Sequence, residues 1–492
     1  MPRTAPPALD LPLAPAPGPA PTYERLATRL RDLVLTGHLA SGLRLPASRV
    51  LARDVGVSRT TVEEAYARLL DEGFITRRQG SGTYVADIDL ERPMPLPASV
   101  VTAAPHLPRV SDWAQQWVAP ADAPWVLCTS PCRADEQAIP IDDWRRTTAR
   151  VLREHGDALL APPPPAGLPV LRRAIADHLA SFRGLTCTPH QVIVTTGTQQ
   201  AMAVLGRVVL DAGDAVWMEE PGYVFARAAF ESIGARVVSV PVDDEGLDVE
   251  AGTRLAPDAR LAYATPSHQF PLGAVMSVDR RLALLRWAEA ADAWIVEDDY
   301  DSEYRHAGRP LAPLQSIDAS GRVLYVGTFN KSLFPGLRVG YAIVPEALVG
   351  PLAQAVRLLG GGPPMIAQAT VAAFVADGML ASHLRRTRRL YRHRCDALVQ
   401  AVTDAAIPGV TLGPTEAGLH VCLWLPPGVD DTEAAGVVSG EGIGATALST
   451  HTADMETLRD RGGIVLGYGR AEPPALRAAV DRLATFCAER AT

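Results

Sequence analysis

Apolar positions fall at helical spacing in three successive stretches near the start of the chain. In "YERLATRLRDLVLTG" (23–37) Leu26, Leu30, Leu33 and Val34 share one face, and Gly37 ends the run. "SRVLARDVG" (48–56) predicts a short second helix with Ser48 as its N-cap and Val50, Leu51 and Val55 turned inward. Gly56 turns the chain, and Ser58 caps "RTTVEEAYARLLDEG", where Val62, Ala65, Tyr66, Leu69 and Leu70 form a stripe. Two helices joined by a short glycine-containing turn predict a helix-turn-helix. The alternation in "FITRRQGSGTYVA" (74–86), broken at Gly80-Ser81-Gly82, predicts a two-stranded wing. Far along the chain the period changes. Short apolar runs, "QVIVTTG", "DAVWMEEPG", "RVVSVPV", "LAYATPS", "AWIVEDDY" and "RVLYVGTFNK", alternate with amphipathic segments. That pattern predicts an α/β fold with a mainly parallel sheet. Residues 87–123 carry many prolines without periodicity and read as a semi-extended linker, so the expected division is 1–20 leader, 21–86 head, 87–123 linker and 124–492 body.

Charge sharpens this division. Residues 21–86 hold ten arginines against seven acids, a balance of +3, while the chain as a whole carries −8. Residues 1–20 cancel, which leaves −11 on residues 87–492. A small basic module on a large acidic body implies two jobs, the first of them nucleic-acid binding. Arg59 with Ser58, Thr60 and Thr61 would stand at the N-terminus of a recognition helix, where side chains meet base edges, and Arg49 could hold a phosphate. The alternative is a small helical domain with a solvated basic face. Six scattered cysteines without CxxC spacing argue against structural zinc and a disulfide framework. No run approaches the length of a membrane span, and residues 1–22 lack the charged start and apolar stretch of a secretory signal, so the expected location is cytoplasmic.

Composition also isolates one residue. Of the 47 basic residues only Lys331 is lysine. A GC-rich coding bias that erodes lysine explains its rarity, but not its place at the end of a buried strand. A lysine amine can lose its proton and attack a carbonyl; a guanidinium cannot.

Other polar residues gather at predicted strand ends, where α/β sheets bind ligands. Gly197, Thr198 and Gln199 open a helix and present N–H groups suited to a phosphate. Tyr223 follows a Pro-Gly turn and could stack on a flat ligand, or serve the core. Glu297, Asp298 and Asp299 are adjacent carboxylates followed by Tyr300, and they would repel one another unless a cation sits there. Either a metal or a protonated ring nitrogen would serve, though the metal reading lacks nearby histidines. Thr328 and Arg338 flank Lys331 and could add phosphate contacts. A phosphate cradle, a carboxylate for a ring nitrogen and one imine-forming lysine are the requirements of pyridoxal 5′-phosphate.

The segment "LRLPASRVLARDVGVSRTTVEEAYARLLDEGFITRRQGSGTYVA" resembles the winged helix-turn-helix of the GntR family of bacterial transcription regulators over residues 23–86. The resemblance implies DNA contacts at Arg49, Ser58, Arg59, Thr60, Thr61 and the wing glycine Gly82, on a double-stranded operator. The order of motifs over residues 125–492 resembles fold-type I aminotransferases and implies a smaller C-terminal α+β subdomain. It assigns the phosphate to Gly197, Thr198, Gln199, Thr328 and Arg338, the stacking to Tyr223, the pyridine nitrogen to Asp298, the ring's 3′ oxygen to Tyr300 and the Schiff base to Lys331. In "TPSHQFPLG", His268 and Gln269 stand in the segment that usually touches the ring oxygen through Asn. The two resemblances together are similar to the MocR subfamily, whose members pair as head-to-tail dimers and use the pocket to sense a ligand.

Two departures matter. The arginine that holds a substrate carboxylate is replaced by Gly463 in "GGIVLGYGR", with Arg461 and Arg470 out of register. The segment whose tyrosine reaches the neighbouring subunit's phosphate reads "PPPPAG" (162–167). Phe225 and Arg227 leave the side-chain pocket undecided. Three readings follow: a sensor of pyridoxal phosphate itself, resembling PdxR regulators; a sensor of an amino acid or amine, resembling GabR-like members; and an aminotransferase carrying a DNA-binding head. The first is the expectation, with no metal.

Overall fold

The computed structural model describes residues 20–88, 110–117, 131–307, 311–440, 442–453, 458 and 461–490. The expected leader (to residue 19) and most of the expected linker lie outside them. The chain forms two compact units that part at residues 109 and 110.

The head is built from α1 (Thr22–Leu35), α2 (Ser48–Val55), α3 (Arg59–Asp71), β1 (Ile75–Arg78) and β2 (Gly82–Val85). Leu26, Leu30, Leu33, Leu51, Val62, Ala65 and Leu69 fuse with Ile75 and Val85 into one core, which is why the helical stripes persist. Two local expectations are corrected. Ser48 is not the cap of α2: Ala47 takes that place, and the Ser48 hydroxyl donates instead to Glu63 on α3, 3.2 Å away. Val50 does not face inward and is 39% exposed, because the short α2 buries only Leu51 and Ala52. Ser58 does cap α3, its hydroxyl accepting from the Thr61 N–H at 3.0 Å. The wing pairs Ile75 with Val85 and Arg78 with Gly82.

In the body an eight-stranded sheet runs in the order β3-β10-β9-β8-β7-β4-β5-β6. Its strands are β3 (Val192–Thr195), β4 (Ala215–Glu220), β5 (Arg236–Asp243), β6 (Gly246–Leu247), β7 (Leu261–Ala264), β8 (Trp294–Asp299), β9 (Val323–Thr328) and β10 (Gly340–Ile343). The neighbours from β9 to β5 are parallel; β10 is antiparallel to both β3 and β9. Every residue of β3, β4, β7, β9 and β10 is buried, as expected of strands covered on both faces. The carboxyl ends of β3, β9, β8, β7 and β4 therefore share one edge. A second sheet, β11 (Thr411–Leu412), β12 (His420–Trp424), β14 (Gly463–Gly467) and β13 (Gly444–Ala447), is antiparallel and forms the C-terminal subdomain. No single helix among the described residues is long and apolar enough to cross a membrane.

Candidate functional site

In the head, Ser58, Arg59 and Thr60 are exposed at the start of α3, with Thr61 half-buried behind them. Arg59 is held by Glu63 one turn on, at 2.7 Å, so its guanidinium is pre-positioned on the exposed face. Arg49 is exposed at the start of α2. Gly82 has φ +127°, where a side chain is strained, and a Cβ there would lie 3.0 Å from Arg44 Nε. The wing glycine therefore lets Arg44 lie against the hairpin. Arg44 was not among the expected contacts; nothing in its local pattern links it to residues nearly forty positions later.

In the body, the strand edge collects most of the expected residues. At the end of β3, Gly197 (φ +124°) precedes the helix Thr198–Val209. A Cβ on Gly197 would lie 3.1 Å from Asn330 Nδ2 and 4.0 Å from the Arg338 guanidinium, and one on Gly340 would lie 2.7 Å from the Gly197 Cα. Side-chain-free backbone thus brings the helix N-terminus, Asn330 and exposed Arg338 around one small space, a fit for a phosphate. Thr328 closes β9 and accepts from the Asn330 N–H at 3.1 Å. The Gln199 amide is turned away, donating to the Phe225 carbonyl at 2.6 Å.

The three carboxylates of β8 do not crowd around a shared cation. The pleat turns Asp298 to the face opposite Glu297 and Asp299, and each of the three has its own partners. Glu297 accepts from the Leu314 and Gln315 N–H groups at 2.8 and 2.9 Å. Asp299 Oδ2 takes Arg183 Nε at 2.9 Å and the Tyr325 hydroxyl at 2.6 Å. Asp298 Oδ2 accepts only from the Tyr263 hydroxyl, at 2.9 Å, and its buried Oδ1 has no partner. Burial, then Asp299 nearby, pushes Asp298 up to about 7 against the pull of Tyr263. A buried carboxylate with one empty acceptor position fits a protonated ring nitrogen.

Lys331 donates to the Cys132 carbonyl at 2.6 Å. Tyr300 lies 3.1 Å from His268 Nδ1, and the same nitrogen meets Asp301 at 3.0 Å. His420, which sequence reasoning did not single out, stands beside them: its Nε2 reaches the Pro271 carbonyl at 3.2 Å and its Nδ1 the Cys132 thiol at 3.1 Å. Burial pushes that thiol up to about 12, so it keeps the proton it offers to His420. Ligand atoms of His268, Asp301 and His420 lie within 4.8 Å of one another. The contacts of Asp301 and His420 are hydrogen-bond partners, and the cluster is satisfied without an ion except at His268 Nε2, which is buried and unpartnered. Gln269 points elsewhere. Its amide nitrogen faces Glu219, Pro221 and Phe270 oxygens, and its oxygen accepts from Leu272. Tyr223 packs edge-on against Phe270, with ring centroids 5.8 Å apart.

Among the described residues, no cation faces this site from the C-terminal sheet. Along β14, Ile464 and Leu466 enter one core, and Val465 joins Phe270 and Tyr300 in another. Alternation therefore turns Gly463, Val465 and Gly467 toward the site. Arg461 is bound to the Leu425 and Gly409 carbonyls and Thr411, and Arg470 to Glu136 at 3.0 Å. Arg227 is bound to Glu220 at 2.9 Å.

Comparison with known proteins agrees with both units. Residues 22–85 match the family described as bacterial regulatory proteins, gntR family, and residues 125–472 match aminotransferase class I and II. The chain is 38% identical to the probable rhizopine catabolism regulatory protein MocR of Rhizobium meliloti, over 94% of this chain and 93% of that protein. It is 35% identical to the pyridoxine biosynthesis transcriptional regulator PdxR of Corynebacterium glutamicum, over 95% and 96% of the two chains. Among solved structures it is similar to the kynurenine aminotransferase of Pyrococcus horikoshii, in complex with PMP, with TM-score 0.68, 26% identity and coverage of 74% of this chain and 91% of that one.

Proposed function

This chain belongs to the MocR subfamily of GntR-family transcription regulators, a DNA-binding head joined to a class I and II aminotransferase body, and we propose that it reports the level of pyridoxal 5′-phosphate to an operator. The observation that carries the cofactor part is Asp298 Oδ1, a buried acceptor without a partner at the strand edge that also presents Lys331. Bound there, the cofactor supplies an electrophilic aldehyde carbon and a ring nitrogen that takes a proton. The chain's own residues do the rest. Asp298 holds the proton on that nitrogen, and Lys331 is the amine that retains the aldehyde. The N–H groups at Gly197 and Thr198, with Thr328 and Arg338, bind the phosphate, and Tyr223 covers the ring. Tyr300, backed by His268 and Asp301, meets the ring's oxygen.

Sensing is favoured over transamination of amino acids by the β14 face, which offers Gly463, Val465 and Gly467 where a carboxylate would need a cation. The proposed assembly is a homodimer in the cytoplasm. Purified protein should take up pyridoxal phosphate with a visible absorbance band, and borohydride should fix the cofactor to the chain. Lys331→Ala should lose the fixed adduct. An adduct that survives in that variant would mean that the amine lies elsewhere.

A further inference from the structure

The body is acidic, with −11 over residues 87–492, yet one of its helices runs against that balance. The helix Met379–Ala405 begins "MLASHLRRTRRLYRHRC" (379–395), a stretch with six arginines, two histidines and no acid. Part of it serves the core, which takes Leu380, Leu384, Tyr391 and Leu398. Arg394 lies on that inner face, buried between Asp135 and Glu472. The other five arginines turn outward: Arg385, Arg386, Arg389 and Arg392 are exposed and Arg388 is half-buried. Arg385, Arg389 and Arg392 recur at helical spacing, so they form one stripe about 10 Å long, flanked by Arg386 and Arg388.

A run of charge on a helix is ordinarily a solvated face answered by nearby acids. Several exposed arginines of the body are answered in this way, such as Arg145 by Asp142, Arg236 by Asp258 and Arg490 by Glu433. The stripe is not. Arg386 donates to the Ala138 carbonyl at 2.7 Å, and Arg388 to the Glu303 carbonyl at 2.9 Å with its guanidinium 5.3 Å from the Phe182 ring centroid. Arg392 donates to the His306 carbonyl at 2.8 Å and has one acid near it, Asp396 at 3.8 Å. Carbonyls hold these side chains in place without cancelling their charge. Among the described residues, Arg385 and Arg389 form no ion pair. Five cations therefore stand against one carboxylate, on a body whose remaining charge repels polyanions.

We propose that this stripe is a second, sequence-independent contact for duplex DNA, made to its phosphates. A duplex carries one negative charge per about 1.7 Å of its axis, so a stripe about 10 Å long meets several of them. Contacts of this kind read no bases and are weak alone. A duplex held by the head is already tethered to the same chain, so the stripe's contacts become intramolecular and add to the affinity. The inference rests on the head as a DNA-binding module, and on no ligand of the body.

The test is fluorescence anisotropy of a labelled duplex of about 60 base pairs and arbitrary sequence, titrated with full-length protein at several salt concentrations. Arg385→Gln combined with Arg389→Gln removes two charges from exposed side chains and leaves the core and the cofactor residues untouched. This double variant should lower the salt slope by about two and weaken binding about tenfold near ~0.1 M salt. The double exchange Arg385→Glu and Arg389→Glu should weaken it further. Arg49→Ala in the head should add its own loss to that of the stripe, because the two sites are independent. Unchanged slope and affinity in both double variants overturn the proposal. So does a loss that accompanies dissociation of the protein's own assembly in sedimentation, which would give the stripe to an acidic face of a second copy. Failure of the head looks different: Arg49→Ala and Arg59→Ala would leave the affinity unchanged while the stripe variants lower it.

Discussion

Asp298 is a strained choice for a protein without its cofactor. Its ordinary value is 3.8 and the folded environment lifts it to about 7, with burial the main cause. Between those values the folded chain holds a proton that the unfolded chain has released, so stability falls as pH rises through that interval. Glu219 and Glu297, each raised to about 7, and Glu303, raised to about 8, act in the same direction. Cofactor-free protein should therefore melt at a lower temperature near pH ~8 than near pH ~5. Asp298→Asn removes one of these contributions, and its cofactor-free form should melt above wild type at the higher pH. The same variant should bind pyridoxal phosphate at least about tenfold more weakly, because a charge-assisted bond to the ring nitrogen is lost. Thermal scans at both pH values, with a cofactor titration, check the pair. A variant that binds the cofactor like wild type would remove Asp298 from the ring nitrogen.

At the scale of elements, the recognition helix separates positioning from reading. Ser58→Ala deletes the cap of α3 and should cost the head about 1 kcal/mol of stability, read by thermal denaturation. Arg59→Ala should weaken the operator more than a scrambled duplex, since a guanidinium near base edges carries sequence information. Arg49→Ala should weaken both duplexes alike and lower the salt slope by about one. Fluorescence anisotropy at several salt concentrations distinguishes them; equal losses for Arg59→Ala on both duplexes would make Arg59 a phosphate contact. Elements of this kind are legible in a sequence because their signals are local. The helical stripes of α1 and α3, the Ser58 cap and the buried runs ending in polar residues all lie within a few positions of one another. What is not legible depends on the other side of each contact. Ser48 looks like a cap until Glu63 on α3 claims its hydroxyl. The carboxylates of β8 look crowded until Arg183, 116 positions away, takes Asp299. His420 becomes part of the site only through Cys132, 288 positions earlier. No periodicity encodes these partners, because only the folded sheet edge brings them together.

At the scale of the molecule, a basic head and an acidic body are two units whose link is thermodynamic before it is anything else. If pyridoxal phosphate changes the affinity for the operator by some factor, the operator must change the affinity for pyridoxal phosphate by the same factor. Couplings of this kind typically span about 5- to 150-fold. The cofactor's absorbance reports one side of the cycle, titrated with and without operator duplex. Anisotropy of labelled duplex reports the other, with and without cofactor. The two factors should agree, and Lys331→Ala should reduce both together, because a body that does not retain the cofactor cannot bias the head. Both factors equal to one in the wild type would leave the body a binding domain with no say in DNA recognition. A response of the operator to amines but not to pyridoxal phosphate would make an amine, and not the cofactor, the sensed ligand.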